Sequence, residues 1–384
     1  MAYLLLVVKS AFRNRLRTLL TATGVAIAII AFLFLRTFIA AWYGGVDASA
    51  TDRLIVRNKI SITFPLPLSY TQKVRSVPGV TDVSWANWFG GVYQDPKQFF
   101  AQFAVDPESY YRIYPEYELP EAQKKAFFAD RTGCVVGDLL AEKYHWKVGD
   151  KVTLKGTIYS GDWDFTIDGI YHGRDKATDR QQFHFHWKYL NERSPEGMKE
   201  KAGIIVVKVA GGATDVAQQI DALFKNSLAE TRTESEKAFQ LSFISMASAI
   251  ITAIQVVSGV VLVILILILG NTLAMATRER TMEYAAMRAI GFRPSHIVGL
   301  VLGEGFVVAL AGVVIGLLLA PPILRYFAEL FQKQLGAFLG SFELDPKAAL
   351  LASAIALAGG MLAAALPAWR AGRMRIVDAL RRVE

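Results

Sequence analysis

Arg278 to Gly291 reads RERTMEYAAMRAIG, followed at once by Phe292, Arg293 and Pro294. On its N-terminal side, Ala238 to Thr277 carries no Asp, Glu, Lys, Arg or His. On its C-terminal side, Ile297 to Pro322 is apolar apart from Glu304. A short charged segment thus joins two stretches long enough to cross a bilayer. Ala, Met, Arg and Glu favour helix there, and Gly291 followed by Pro294 stops it. At helical periodicity Met282, Ala285, Ala286 and Ala289 share one side, with Arg278, Arg280, Glu283 and Arg288 around them. Two readings follow from the residues alone: a solvated connector with snorkelling arginines, or a docking helix at the membrane surface offered to a partner.

The chain is 384 residues long and 53% apolar, which argues for a membrane protein. A single cysteine, Cys134, permits neither an internal disulfide nor a Cys-based zinc site. The net charge of +8 is unevenly spread, because residues 42–242 hold 25 Lys and Arg against 26 Asp and Glu. The excess sits in Lys9 to Arg17, in Arg278 to Arg293 and in the tail after Pro367, each flanking an apolar span. That is the positive-inside pattern and not the footprint of a nucleic-acid binder.

Taken in order, residues 1–17 are expected to form a cytoplasmic amphipathic helix. Leu5, Val8, Phe12 and Leu16 lie at helical spacing, with Lys9, Arg13 and Arg17 on another side, suited to an anionic inner leaflet and its lipids. Residues 18–43 form the first span, with Arg36 snorkelling near its outer end and Trp42 and Tyr43 as interfacial anchors. A cleaved signal peptide is the alternative, with Ala40-Ala41-Trp42 as a weak site. Residues 44–237 read as an extracytoplasmic α+β domain, with strands over 54–64, 80–92, 99–105, 151–155, 165–171 and 203–209. Helices are expected over 69–77, 138–145 and 214–226, the last capped by Thr214 with Val216, Ile220 and Leu223 as its apolar line.

The uncharged stretch beyond Lys237 is too long for one crossing. Residues 238–249 are therefore assigned to an outer helical stalk and 250–277 to the second span. Phe239, Phe243, Ile244 and Met246 of the stalk need a packing partner, and a second copy of the chain is the simplest. Residues 278–295 are the cytoplasmic elbow and 296–322 the third span. In that span Gly299, Gly303, Gly312 and Gly316 allow close helix approach. An outer loop (323–346), a fourth span (347–367) and a basic tail (368–384) complete the chain. The expected fold is membrane α-helical, with four transmembrane helices and a large extracytoplasmic α+β domain inserted between the first two. Head, elbow and tail fall inside; topology and charge agree.

Chemical motifs are sparse. No G-x-x-x-x-G-K-[ST] occurs, so no ATP-binding loop is recognisable, and neither G-x-S-x-G nor H-E-x-x-H is present. His184 and His186 alternate in QFHFHW, where a shared face is one way to hold zinc and an ordinary strand is the other reading; His145 and His172 are the remaining candidates to join them. Asp162, Asp164 and Asp168 lack ligand-loop spacing. Glu304 is the one acid inside a span, suited to an interhelical hydrogen bond or ion pair, with proton translocation as the alternative.

The ensemble resembles MacB/FtsX-type ABC transporter permeases. RERTMEYAAMRAIGFRPSHI is similar to the family's E-R-x-x-E-I-x-x-x-R-A-x-G-A, matched by Glu279, Arg280, Glu283, Arg288, Ala289 and Gly291, with Tyr284 for Ile and Phe292 for Ala. The tail PAWRAGRMRIVDALR resembles P-x-x-x-A-x-x-x-x-P-x-x-A-L-R at Pro367, Ala371, Ala379, Leu380 and Arg381, with Ile376 in place of the second proline. The head AFRNRLRTLLTATGVAIAI also fits. VPGVTDVS and GDLLAEKYHWKVGDKVTL resemble the MacB-like periplasmic core.

The resemblance implies a homodimeric inner-membrane permease, not itself an enzyme, gripped at the elbow by two copies of a separate ABC ATPase subunit. ATP and Mg would be bound by that partner, and no cofactor by this chain. Glu279, Arg280, Glu283, Tyr284, Arg288, Ala289 and Gly291 would serve ATPase coupling. Closure of the ATPases would reach the outer domain through the stalk and second span, for efflux or for mechanical work on an envelope target. A periplasmic adaptor or outer-membrane component is a further partner of such systems, and nucleic acid is not. A four-span receptor without an ATPase is the reading from another class.

Overall fold

The computed structural model describes residues 2–47, 50–96, 99–175, 178–246, 248–335 and 344–373. They divide into two compact units, one drawn from 1–40, 248–328 and 342–384, the other from 41–247 and 329–341. The chain opens with α1 (Ala2–Ala11) and α2 (Arg15–Asp47). There follow β1 (Arg53–Asn58), β2 (Leu66–Pro67), α3 (Tyr70–Arg75), β3 (Val80–Trp88), β4 (Gln102–Val105), α4 (Pro107–Ile113), β5 (Tyr117–Glu118) and α5 (Glu121–Ala129). Next come β6 (Gly133–Gly137), α6 (Asp138–Tyr144), β7 (Lys151–Gly156), β8 (Gly161–Gly173), β9 (Phe183–His186), α7 (Trp187–Arg193) and β10 (Lys201–Ala202). After β11 (Ile204–Val209), α8 (Ala213–Leu223), β12 (Thr231–Ser235) and α9 (Glu236–Met246), the chain ends in α10 (Ser248–Glu279), α11 (Thr281–Ala289), α12 (Pro294–Leu335) and α13 (Pro346–Arg373).

Among the described residues, four helices are long and apolar enough to cross a membrane: Arg15–Tyr43, Ser248–Glu279, Pro294–Ala328 and Pro346–Arg373. A span needs about 20 residues, so each has length to spare. Close contact depends on small residues, as van der Waals packing in lipid requires. A Cβ on Gly312 would lie 2.5 Å from Val25 of α2 and 2.9 Å from the Ala22 carbonyl oxygen. One on Gly303 would lie 2.8 Å from Val7 of α1. The stripe expected on the third span therefore seats α1 and α2, with Gly299 against Tyr3 and Gly316 against Ile29.

Boundaries differ from expectation at the head and at the end of the third span, among other places. The head helix stops at Ala11 and α2 begins at Arg15, so residues 12–14 turn where one continuous amphipathic helix was expected. Helix α12 continues through Pro321 and Pro322 into what was expected to be the outer loop. Each proline removes a backbone donor, yet bundled membrane helices tolerate this. Beyond them Leu324 is 2% exposed, and Phe327 meets Phe34 of α2 edge-on at 5.0 Å. The tail residues Ile376, Val377, Ala379, Leu380 and Arg381 lie outside the described residues, as do 336–343 of the expected loop.

The second unit is built on a ten-stranded sheet in the order β12-β1-β11-β3-β4-β9-β6-β8-β5, with β7 on β8. Pairing is antiparallel except for β4 with β9 and β6 with β8. In β9, residue alternation sends Phe183 and Phe185 into an aromatic core with Phe89, Trp163 and Phe165. His184 and His186 point to the opposite face, among Tyr110, Tyr111, Tyr171 and Phe127. Helix α4 starts where Asp106-Pro107 ends a strand: Asp106 caps it by accepting from the Ser109 N–H, and Pro107 takes the first turn. For α8 the cap is Gly212, in the left-handed region at φ +64°, and not Thr214; Leu223 is 53% exposed instead of completing the apolar line.

Helix α9 begins at Glu236, before the expected stalk. Its first residue is paired with buried Arg53 of β1 at 2.7 Å. Phe239 packs on the core around Ile55 and Tyr114 and meets Phe243 edge-on at 5.0 Å, while Phe243 itself is 48% exposed. Residue 247 and the side chain of Met246 lie outside the described residues.

Candidate functional site

Helix α10 runs on through Arg278 to Glu279, turns at Arg280, and gives way to the short α11. Its C-terminus explains Gly291. The Gly291 N–H donates to the Arg288 carbonyl and the Phe292 N–H to the Met287 carbonyl, both at 3.1 Å, with Gly291 at φ +106°. This is a Schellman closure, which needs a left-handed residue that glycine adopts without steric cost. Pro294 then opens α12, where its missing N–H is harmless.

One side of α11 is locked to the rest of the unit. Tyr284 is 2% exposed, in an apolar cluster with Val7 of α1, Ile297, Leu300 and Val301 of α12, and Ala368 and Ala371 of α13. Its ring fills the place where the motif that this segment resembles carries isoleucine. Arg280 is 8% exposed; its Nη1 donates to Glu304 Oε2 at 2.8 Å and Ser10 Oγ at 2.5 Å, and its Nη2 to the Ser10 carbonyl at 2.7 Å. That carbonyl belongs to the last turn of α1, where backbone acceptors lack helical partners. Glu304, at 7% exposure, is thus held by an ion pair across helices. Removing one member of such a buried pair costs about 3–5 kcal/mol, because the other is left uncompensated.

Two further pairs tie the head to the elbow: Arg17 with Glu279 at 2.6 Å, and Arg13 with Glu283. Sequence reading missed this link, although a signal was present. Acids at 279 and 283 and bases at 13 and 17 share four-residue spacing, and the pairs form in antiparallel order.

The other side of α11 faces outward. Met282 is 44% exposed, Ile290 81% and Phe292 39%, with Ala286 and Ala289 exposed among them. The expected apolar line is therefore split, since Ala285 turns inward with Tyr284. Arg288 is half-buried, its Nη1 within 3.5 Å of the Gly372 carbonyl. Of the seven residues expected to serve coupling, Arg280 and Tyr284 face into the unit, Glu279 pairs with Arg17 of the head, Gly291 shapes the turn, and Glu283, Arg288 and Ala289 border the open face.

The histidines have other partners. His184 is fully buried, with Nε2 2.8 Å from Gln182 Oε1 and Nδ1 3.0 Å from the Tyr111 hydroxyl. Burial pushes its pKa down to about 3. His186 Nε2 meets the Phe127 carbonyl at 2.5 Å. Among the described residues no three His, Cys, Asp or Glu side chains come together as a metal site.

Comparison with known proteins gives two family matches. Residues 18–223 match the MacB-like periplasmic core domain, and residues 255–376 the FtsX-like permease C-terminal. The chain is 26% identical over 343 residues to an uncharacterized ABC transporter permease of Methanocaldococcus jannaschii, covering 82% of each chain. Among solved structures, the periplasmic region of MacB from Actinobacillus actinomycetemcomitans superposes with a TM-score of 0.37 at 10% identity, over 52% of this chain and 95% of that one. The extracellular domain of the noncanonic ABC-type transporter YknZ from Gram-positive bacteria superposes with a TM-score of 0.36 at 9% identity, over 48% of this chain and all of that one.

Proposed function

Because this chain belongs to the MacB/FtsX-type ABC transporter permeases, we propose that it is the permease subunit of an inner-membrane exporter driven by a separate ATPase chain. Family membership makes it a non-enzymatic membrane subunit with an extracytoplasmic domain and an ATPase partner. The finer reading places that ATPase on the open face of α11, around Met282, Ile290 and Phe292, with Glu283 and Arg288 at its border. ATP binding pulls α11; the movement passes through α10 and α9 to the outer unit, in a dimer of two such chains. The work is done on a substrate outside, with or without an adaptor protein.

The observation that carries this reading is the two-sidedness of α11. Arg280 and Tyr284 fasten one face to α1, α12 and α13, while a contiguous apolar strip is left open on the other. Exposed large apolar side chains beside charged ones are the composition of a protein contact. Ile290→Glu together with Met282→Glu should reduce co-purification of the ATPase at least tenfold while the permease stays folded. Undiminished co-purification sinks the assignment of this face. The reading as a release or regulatory machine for an envelope protein shares this contact and differs in the outer target; crosslinking from the outer unit in cells separates the two.

A further inference from the structure

Strand β5 pairs with the end of β8, Tyr117 opposite Gly173 and Glu118 opposite His172. Beside this edge of the outer unit, reaching the first turns of α5, lies a groove of about 420 Å³. That is the size of a small-molecule site. The rings of Tyr111 and Tyr117 line it together with Leu119 and Pro120. Both tyrosine hydroxyls are turned into the protein: Tyr117 donates to Gln182 Oε1 at 3.2 Å, and Tyr111 meets His184 Nδ1 at 3.0 Å. The rings therefore offer carbon to the groove.

Its charged and titratable side chains are Glu118, Lys124 and His172. His172 is positioned: its Nδ1 lies 2.8 Å from Asp138 Oδ2, and the same carboxylate is gripped by Arg180. The Nε2 atom remains as the second polar atom of a ring whose orientation is set. The Glu118 carboxylate is taken up by Arg174 at 3.2 Å. Lys124 pairs loosely with Glu121 at 3.8 Å, whose side chain is 78% exposed, and its Nζ lies 6.0 Å from the centre of the Phe128 ring. The lining thus carries one acid held by Arg174 and one lysine whose acid neighbour is loose, beside an apolar floor.

We propose that this groove binds a small amphipathic acid, its aromatic or branched body against Tyr111, Tyr117 and Leu119 and its single carboxylate on Lys124, with His172 Nε2 alongside. The inference is independent of the coupling reading, since the whole site lies in the outer unit. The groove wall also adjoins a joint. Glu116, next to Tyr117, pairs with Arg53 at 2.6 Å, and Arg53 holds Glu236 at the start of α9. A ligand in the groove would thus rest against the segment that anchors the helix leading out of the unit.

The test is calorimetric titration of the detergent-purified full chain with 1-naphthaleneacetate and with its neutral amide. The acid should bind at least tenfold more tightly than the amide. Lys124→Gln should weaken the acid about tenfold and leave the amide unchanged, with the thermal midpoint of the variant confirming an intact fold. Equal binding of acid and amide, no binding of either, or a variant indistinguishable from the parent overturns the proposal.

Discussion

Arg280, Tyr284 and Gly291 each stand in the elbow motif for a different physical reason: a buried ion pair, an apolar anchor and a left-handed turn. Only the glycine was legible as such from sequence, because helix ends announce themselves locally. A partner such as Ser10 or Glu304 comes from another helix, and local pattern does not reveal it. His184 makes the same point in the outer unit, since QFHFHW shows the alternation but not the tyrosines around the ring. Its burial has a pH consequence. In the folded state the pKa is pushed from 6.5 down to about 3, so as pH falls the unfolded chain takes up this proton first. The stability that this histidine contributes is fully present above about pH 6.5 and is lost by about 1.4 kcal/mol per pH unit below it, until about pH 3. His186, lowered by burial as well, acts with the same sign. Asp168 and Asp179, both raised to about 6 by burial, act with the opposite sign. Unfolding followed by tryptophan fluorescence should give His184→Phe a slope between pH 6.5 and 5 that differs from the parent's by about 1.4 kcal/mol per pH unit; an identical slope means His184 is not the group responsible.

At the scale of elements, apolar length and charge placed the four spanning helices, because a bilayer imposes one requirement on every span. Boundaries were harder to read. Pro321-Pro322 reads as a stop, yet packing of Leu324 and Phe327 carries α12 past it. Asp106-Pro107 reads as a break, yet the same pair starts α4. The joining of α1 to the elbow is long-range, formed by Arg13 with Glu283 and Arg17 with Glu279. Both pairs are partly exposed, so each contributes at most about 1 kcal/mol and overall stability is a poor readout. Amide exchange over α1 is the better one. Reversing Glu279 and Glu283 to Arg should speed exchange in α1, and reversing Arg13 and Arg17 to Glu in the same chain should restore protection. Exchange that ignores both changes would mean the pairs do not hold the head helix.

For the whole molecule, the proposed function requires the elbow inside and the outer unit outside. A maleimide applied from outside should label Lys225→Cys and spare Arg293→Cys, while native Cys134, fully buried, stays unreactive until unfolding; a labelled elbow would overturn the topology. On that proposal force enters the outer unit along the chain through α2 or through α9, and only residue 247 separates α9 from α10. The start of α9 is anchored: Glu236 is fixed by Arg53, and Phe239 is set into the core around Ile55 and Tyr114. Beyond Phe239 the helix grows more exposed, with Phe243 at 48%. Ser245→Pro removes a helical hydrogen bond from this exposed part at a cost of about 3 kcal/mol, without touching the anchorage or the elbow. The variant should still fold, bind its ATPase and support hydrolysis at the parental rate, but lose export, because the moving part no longer drives the outer unit. Export at the parental level would show that α9 transmits nothing. Loss of ATPase binding would place the defect in the membrane unit and refute transmission through α9 from the other side.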